Sequence, residues 1–347
     1  MSRVRGMTGV SGTTGVSAPL RLAIFGCGRA AERLYLPALA HVPEARLVAA
    51  FDPVAARREL IAGATPDCRA FASAEALLQN AHVDAAIVAS PPETHLAAAA
   101  LAMCAGVPVL VEKPLATSMD EARQLAALQA ESRLPVAVGL NRRWWPPAER
   151  LRAVIAEREC ASSDAAGRTT VDMCMTSDVG AWSPVSGVRD PLDDLGTHQL
   201  DLLRYLFDRE IVSVAARRTA PLEIRMTVWL EGGVSATCLA GQSNRSQEHV
   251  AVTCGGTRYR IRTGSERVAP DGGVVRRALD LSDSVRRRLT RGRSGMRRSF
   301  ERQLRGFVEC VRSGAAPRAS IADGIAALGA VEAARVSAAA GGAEVSV

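Results

Sequence analysis

One residue stands out by its rarity. The chain carries 43 Lys plus Arg, and a single one of them, Lys113, is lysine. Arginine stays protonated in proteins, whereas a lysine ammonium shifts its pKa and exchanges a proton. Lys113 sits in Glu112-Lys113-Pro114, directly after the apolar run Val107–Val111. A second segment, Gly26-Cys27-Gly28-Arg29-Ala30-Ala31, has the spacing of a phosphate-cradling turn. Its first Gly permits a tight turn, its second lets a pyrophosphate approach the backbone at a helix N-terminus, and Ala at the last position keeps the packing close. Asp52 follows at the end of the next apolar run, where a carboxylate hydrogen-bonds a ribose 2′-OH and repels a 2′-phosphate. That favours NAD over NADP, with Arg57 and Arg58 close enough to soften the preference. A third segment runs Asp193-Asp194-Leu195-Gly196-Thr197-His198. On a helix Asp194 and His198 stand at i and i+4, so the carboxylate can orient the imidazole for proton transfer near neutral pH.

These segments need elements to place them. Leu20–Phe25, Arg46–Phe51, Val83–Ala89, Val107–Val111 and Leu134–Leu140 read as buried strands. Helical patterns lie between them, one opened by Ser118 as N-cap. Strands alternating with helices predict a doubly wound parallel sheet, whose ligands bind outside the strand carboxyl ends. Lys113 falls at such an end. After about residue 150 the rhythm changes to closely spaced strands (Val171–Met175, Ile211–Ala216, Glu223–Leu230, Val234–Ala240, His249–Cys254 and Thr257–Arg262), which predicts a mostly antiparallel second sheet. The expected organisation is a disordered lead-in over 1–19, a dinucleotide-binding domain over 20–141, and a substrate-binding and oligomerisation domain over 142–347. The C-terminal helices are candidates to pack back on the first domain.

Composition excludes several classes. At 347 residues, 48% hydrophobic and 23% charged, the chain can bury a large core without staples. No apolar stretch is long enough to span a membrane. The net charge of +7 is concentrated locally, with eleven Arg between Arg276 and Arg305 opposed by three carboxylates. Phe300 is the only aromatic there, so nucleic-acid binding is not expected. The eight Cys form no Cys-x-x-Cys pair, so no metal site is expected, and they read as reduced thiols of a cytoplasmic protein.

Taken jointly, the residues resemble the Gfo/Idh/MocA family of nicotinamide-dependent oxidoreductases. Gly26-Cys27-Gly28, Ser90-Pro91-Pro92 with Thr94-His95, Glu112-Lys113-Pro114, Asn141-Arg142-Arg143 and Asp194-Leu-Gly-Thr-His198 carry the resemblance. So does the tail from Phe307 through Gly314 to Asp323-Gly324. The resemblance implies a Rossmann domain followed by an α/β domain with an open, mostly antiparallel sheet, in dimers or tetramers. It implies Lys113, Asp194 and His198 as a catalytic trio acting on a sugar, nucleotide sugar or cyclitol. Where many members carry glycines before the third segment, this chain has Val188-Arg189-Asp190-Pro191.

The expected reaction is hydride transfer between NAD and a secondary alcohol or ketone. His198 accepts the hydroxyl proton, Asp194 supports the imidazolium and Lys113 polarises the oxygen, with the Lys113 and His198 roles interchangeable. Gly26, Cys27, Gly28, Arg29, Ala30, Asp52, Ser90, Pro91, His95, Glu112 and Lys113 are the expected cofactor contacts. Arg143, Trp144, Trp182 and His198 are the expected substrate contacts. Two other classes fit the same motifs: a glycosidase that cycles bound NAD internally, and a non-catalytic NAD- and sugar-binding regulator.

Overall fold

Apolar residues on both faces of a strand require cover on both sides. Strands β1 (Leu20–Phe25), β2 (Ala45–Phe51), β3 (Arg69–Phe71), β4 (Ala85–Val88), β5 (Val109–Val111) and β6 (Val136–Val138) form one sheet in the order β3-β2-β1-β4-β5-β6. Every pairing in it is parallel. The order reverses between β1 and β4, which makes that edge the topological switch point where such sheets take their ligands. The connecting helices are α1 (Leu36–Leu39), α2 (Ala55–Gly63), α3 (Ala74–Asn80), α4 (His95–Cys104) and α5 (Met119–Ser132). The Ser118 hydroxyl accepts from the Glu121 amide and so caps α5 as predicted. The computed structural model describes residues 18–161, 169–178, 190–244, 246–263, 268–270 and 295–347.

The second sheet comprises β7 (Thr170–Asp178), β8 (Ile211–Ala220), β9 (Glu223–Leu230), β10 (Ser235–Ser243), β11 (Gln247–Cys254), β12 (Thr257–Arg262), β13 (Ala269–Pro270) and β14 (Val345–Ser346). Its order is β13-β12-β11-β7-β10-β9-β8-β14. Only β7 and β10 run parallel, so the sheet is mostly antiparallel. Along β9, Ile224, Met226, Val228 and Leu230 are buried while the residues between them are not, the alternation of a sheet covered on one face. Helices α6 (Pro146–Ala161) and α7 (Thr197–Phe207) contribute to that cover.

Two long helices complete the chain. α8 (Gly295–Ser313) places Phe300, Leu304, Phe307 and Val308 in the core on one face of the parallel sheet. α9 (Ile321–Ala339) puts Ile321 and Leu328 in the core on the other face, and Ala330, Val331 and Ala334 in the core of the second sheet. A Cβ at Gly324 would lie 2.9 Å from Leu115, which shows how closely α9 lies on the parallel sheet.

Short and weakly patterned elements were not foreseen from sequence. β3 has three residues, two of them exposed. α6 buries Ala148, Leu151 and Ile155 among charged neighbours, too few to announce a helix. Both helices that serve the site also begin irregularly, with π-type turns at Ala31–Tyr35 and Leu192–Gly196. Such i→i+5 turns rotate the side chains they carry relative to an α-helix.

Candidate active site

The glycine turn leaves β1 at Gly26, whose amide donates to Phe51 O at 2.8 Å. Gly26 has φ +94°, and a Cβ there would stand 2.5 Å from the Ser90 backbone. Only glycine allows the ends of β1 and β4 to meet so closely. Gly26→Ala is therefore expected to cost about 2–5 kcal/mol, combining backbone strain with overpacking. Urea unfolding measures it, and an unchanged midpoint would refute the close approach. Gly28 is different: a Cβ there meets nothing within 4 Å. The space over the start of the following helix is open, as a pyrophosphate requires.

Asp52 ends β2 and is 4% exposed. Its Oδ2 accepts from the Cys27 amide at 2.9 Å, and its Oδ1 from the Val54 amide at 2.9 Å. The carboxylate thus fixes the glycine turn and the approach to α2. Arg58 donates to the backbone carbonyls of Asp52 and Pro53. The Cys27 thiol points inward to Phe51 O, and burial pushes its pKa up to about 12, so it contributes backbone and no sulfur chemistry. Gly26, Gly28 and Asp52 together fit a dinucleotide with a free 2′-OH.

At the ends of β4 and β5 the chain forms two further turns. Ser90 and Pro91 lie at the rim, tied by the Thr94 hydroxyl to Ser90 Oγ at 2.7 Å and to Pro91 O at 2.8 Å. His95 corrects the expectation of a direct cofactor contact. It has no exposed surface, and its Nδ1 and Nε2 lie 2.9 Å from Pro114 O and 3.0 Å from Ser90 O. It braces the two turns against each other. Burial, outweighing these carbonyls, lowers its pKa.

Lys113 leaves β5 and reaches across to the second half of the chain. Its Nζ donates to Asp194 O at 2.8 Å and pairs with Asp194 Oδ1 at 3.0 Å. The Lys113 side chain is 11% exposed and that of Asp194 28%. The predicted pairing of Asp194 with His198 is not what forms. Asp194 lies in the π-type turn, where the α-helical i,i+4 geometry does not hold, and its carboxylate turns to Lys113. His198 is 5% exposed, and its Nδ1 has no hydrogen-bond partner among the described residues. Burial first, then the charges of Arg142 and Lys113, hold its pKa well below the usual 6.5. The imidazole is a neutral, buried acceptor with an uncommitted nitrogen.

Asp193, the second carboxylate of the segment, goes instead to Arg335 of α9 at 2.6 Å. In the sequence Arg142 stands out only as part of a motif, and nothing marks Glu248. Yet Arg142 Nε donates to Glu248 Oε1 at 2.9 Å, and Glu248 is 8% exposed. A carboxylate on β11, 106 residues away, leaves no local signal of this partnership.

Two of the expected substrate contacts are corrected. Arg143 is 7% exposed and holds Asp201 through Nε and Nη2, Asp323 through Nη2 and Arg318 O through Nη1. It joins α7 to α9 and spends its guanidinium on these buried partners. Trp144 is 6% exposed in the core beneath α8, where a Cβ at Gly306 would come within 3.0 Å of its Nε1. Trp182 and residues 271–294 of the Arg-rich stretch lie outside the described residues. Among the described residues no group of His, Cys, Asp and Glu is arranged to hold a metal, and no helix is long and apolar enough to cross a membrane.

Comparison with known proteins agrees with the fold. The family model for Gfo/Idh/MocA, described as an oxidoreductase family with an NAD-binding Rossmann fold, matches residues 20–140. The rhizopine catabolism protein MocA of Rhizobium meliloti is 25% identical over 324 residues, covering 90% of this chain and 93% of its own. Inositol 2-dehydrogenase 2 of Mycolicibacterium vanbaalenii is 28% identical over 311 residues, covering 85% of each chain. The structure of myo-inositol 2-dehydrogenase from Lactobacillus plantarum shares the fold with a TM-score of 0.76 at 19% identity, over 95% of this chain and 99% of that one. With its glycine turn, Asp52 and reversed strand order, the segment 20–140 is an NAD-binding Rossmann domain of the Gfo/Idh/MocA oxidoreductase kind, and the whole chain is similar to members of that family.

Proposed function

We propose that this protein interconverts a secondary alcohol and a ketone on a cyclitol or sugar ring, using NAD. One observation carries the reading: the chain's single lysine, at the carboxyl end of β5, is drawn to Asp194 of the second half beside a buried neutral imidazole. NAD, when bound, supplies or takes the hydride. Gly26, Cys27, Gly28, Arg29 and Ala30 would hold its pyrophosphate through backbone groups, Asp52 its ribose, and Ser90, Pro91 and Glu112 would border the nicotinamide.

The protein's own residues handle the proton and the charge. Lys113 donates to the reacting oxygen and stabilises negative charge on it. Asp194 keeps the ammonium in place. His198, held neutral by burial, receives the hydroxyl proton. The catalytic contacts are thus Lys113 and His198, with Asp194 as the residue that aims Lys113. The inositol 2-dehydrogenases and the UDP-N-acetylglucosamine 3-dehydrogenase of Acidithiobacillus ferrooxidans, 35% identical over 171 residues, support a ring polyol as substrate. We place the protein in the cytoplasm, in keeping with seven free cysteines among the described residues, and as an assembly of like chains. The direct test is NADH absorbance with NAD and a panel of cyclitols, sugars and nucleotide sugars. NADH formed with one class supports the reading, and silence with every alcohol and with the corresponding ketones plus NADH refutes it.

The buried imidazoles also set a pH dependence of stability. His95 and His198 have folded-state pKa values below 6.5, so below that pH the unfolded chain binds protons that the folded chain does not. Stability is full above pH 6.5 and falls as pH drops toward the folded values. Tm should therefore decline on acidification from pH 7 to 5, and His198→Asn should flatten the decline. An equally steep decline in the variant would contradict the neutral state assigned to His198.

A further inference from the structure

The catalytic reading gives no role to Tyr35, yet its side chain ties the cofactor turn's helix to the Lys113 segment. It ends the π-type turn Ala31–Tyr35 and has no exposed surface. Its hydroxyl donates to Glu112 Oε1 at 2.7 Å. The other oxygen of that carboxylate, Oε2, accepts from the Lys113 amide at 3.0 Å. Glu112 fits because Gly139 has no side chain: a Cβ there would lie 2.9 Å from both Glu112 Cα and Oε2. On its other side the Tyr35 ring meets Phe300 of α8 edge to face, with centroids 5.7 Å apart. Burial and the Glu112 carboxylate both push the Tyr35 pKa well above its usual value, so the phenol keeps the proton it donates.

We propose that Tyr35 is a positioning residue for Lys113, acting through Glu112: it holds the carboxylate that holds the Lys113 backbone, and so aims Nζ at Asp194. The inference rests on the catalytic role given to Lys113. A tyrosine placed for packing alone would need only its ring, since Phe300 and the surrounding core contact the ring. The hydroxyl serves Glu112, a half-buried carboxylate that turns away from its present position when deprived of one of its two donors. Because the π-type turn lies a few residues past Gly28, the same link carries any movement of the cofactor turn to the lysine.

The single lysine makes the link measurable without turnover. In the full-length, cofactor-free protein, an acylating reagent such as N-hydroxysuccinimidyl acetate can modify one side-chain amine, Lys113, and mass spectrometry reads its rate. In Tyr35→Phe the rate should rise about fivefold, the worth of one net hydrogen bond. Glu112→Gln should act similarly, because an amide has one acceptor oxygen for two donors. Phe300→Leu, which loosens the ring but keeps the hydroxyl, should leave the rate near wild type. In assays with a turned-over alcohol, Tyr35→Phe should lower kcat with little change in KM for NAD. A wild-type labelling rate in Tyr35→Phe overturns the proposal, as does an equal rise in Phe300→Leu. Labelling as expected in a protein that turns over no alcohol would refute the dehydrogenase reading and leave the Tyr35–Glu112–Lys113 link standing.

Discussion

Lys113→Ala should lower turnover by about 10²–10⁴-fold while NAD affinity changes only severalfold. The size follows from what the ammonium does. It is the chain's single lysine, its side chain 11% exposed, and in the proposed mechanism it donates to the reacting oxygen. Removing it withdraws a charged donor from a half-buried site, where such a group is worth several kcal/mol to a transition state. Cofactor affinity should survive because the turn at Gly26 and Gly28 and the carboxylate of Asp52 are built without Lys113. The fold should survive as well. The variant leaves Asp194 unpaired, but that side chain is 28% exposed and water can reach it. Lys113→Arg should not rescue: a guanidinium keeps the charge but is larger, planar and unable to release a proton. Steady-state kinetics beside fluorescence titration of NAD separates the two effects. A variant with near-normal kcat would remove Lys113 from the chemistry.

Arg143→Met should do the opposite, unfolding the protein more readily while leaving the reacting groups in place. Its guanidinium is enclosed by Asp201, which is 1% exposed, by Asp323 and by the carbonyl of Arg318. Breaking a buried ion pair from one side costs about 3–5 kcal/mol, because the remaining charge is stranded. Burial already raises the Asp201 pKa against the pull of Arg143. Without Arg143 the pKa of that carboxyl should rise further and it should take up a proton more readily, so the loss of stability should be smaller at acid pH than at pH 8. Asp323 also caps α9 through Ser320 and accepts from Arg204, so the damage should spread along that helix. Urea denaturation at two pH values checks both statements. A variant of wild-type stability but raised KM for the alcohol would return Arg143 to the substrate site.

These two residues show what a sequence reveals and what it hides. Lys113 was legible because composition isolated it and an apolar run placed it at a strand end. The glycine turn and Asp52 were legible because their roles are local and fixed by chain order. Arg143 and Trp144 were misread for a common reason. Arginine and tryptophan are frequent ligand contacts, and the residues that bury them here, Asp201, Asp323 and Gly306, are far away in sequence. Asp194 and His198 were correctly set on one helix, but the π-type turn that redirects Asp194 to Lys113 has no signature in residue type. Glu248 and Tyr35 were missed because nothing near them marks their partners. The strands of the parallel sheet stood out as apolar runs, whereas β3 and α6 bury too few side chains to do so.

Lys113 is proposed to perform NAD-dependent chemistry on a ring alcohol. The most direct measurement is the appearance of NADH when the wild-type protein and Lys113→Ala are each mixed with NAD and a cyclitol or sugar. The expected result is stoichiometric NADH from the wild type and almost none from the variant, at equal occupancy by NAD. Equal NADH from both would contradict the assignment, and sugar release by the wild type without net NADH would contradict the reaction itself.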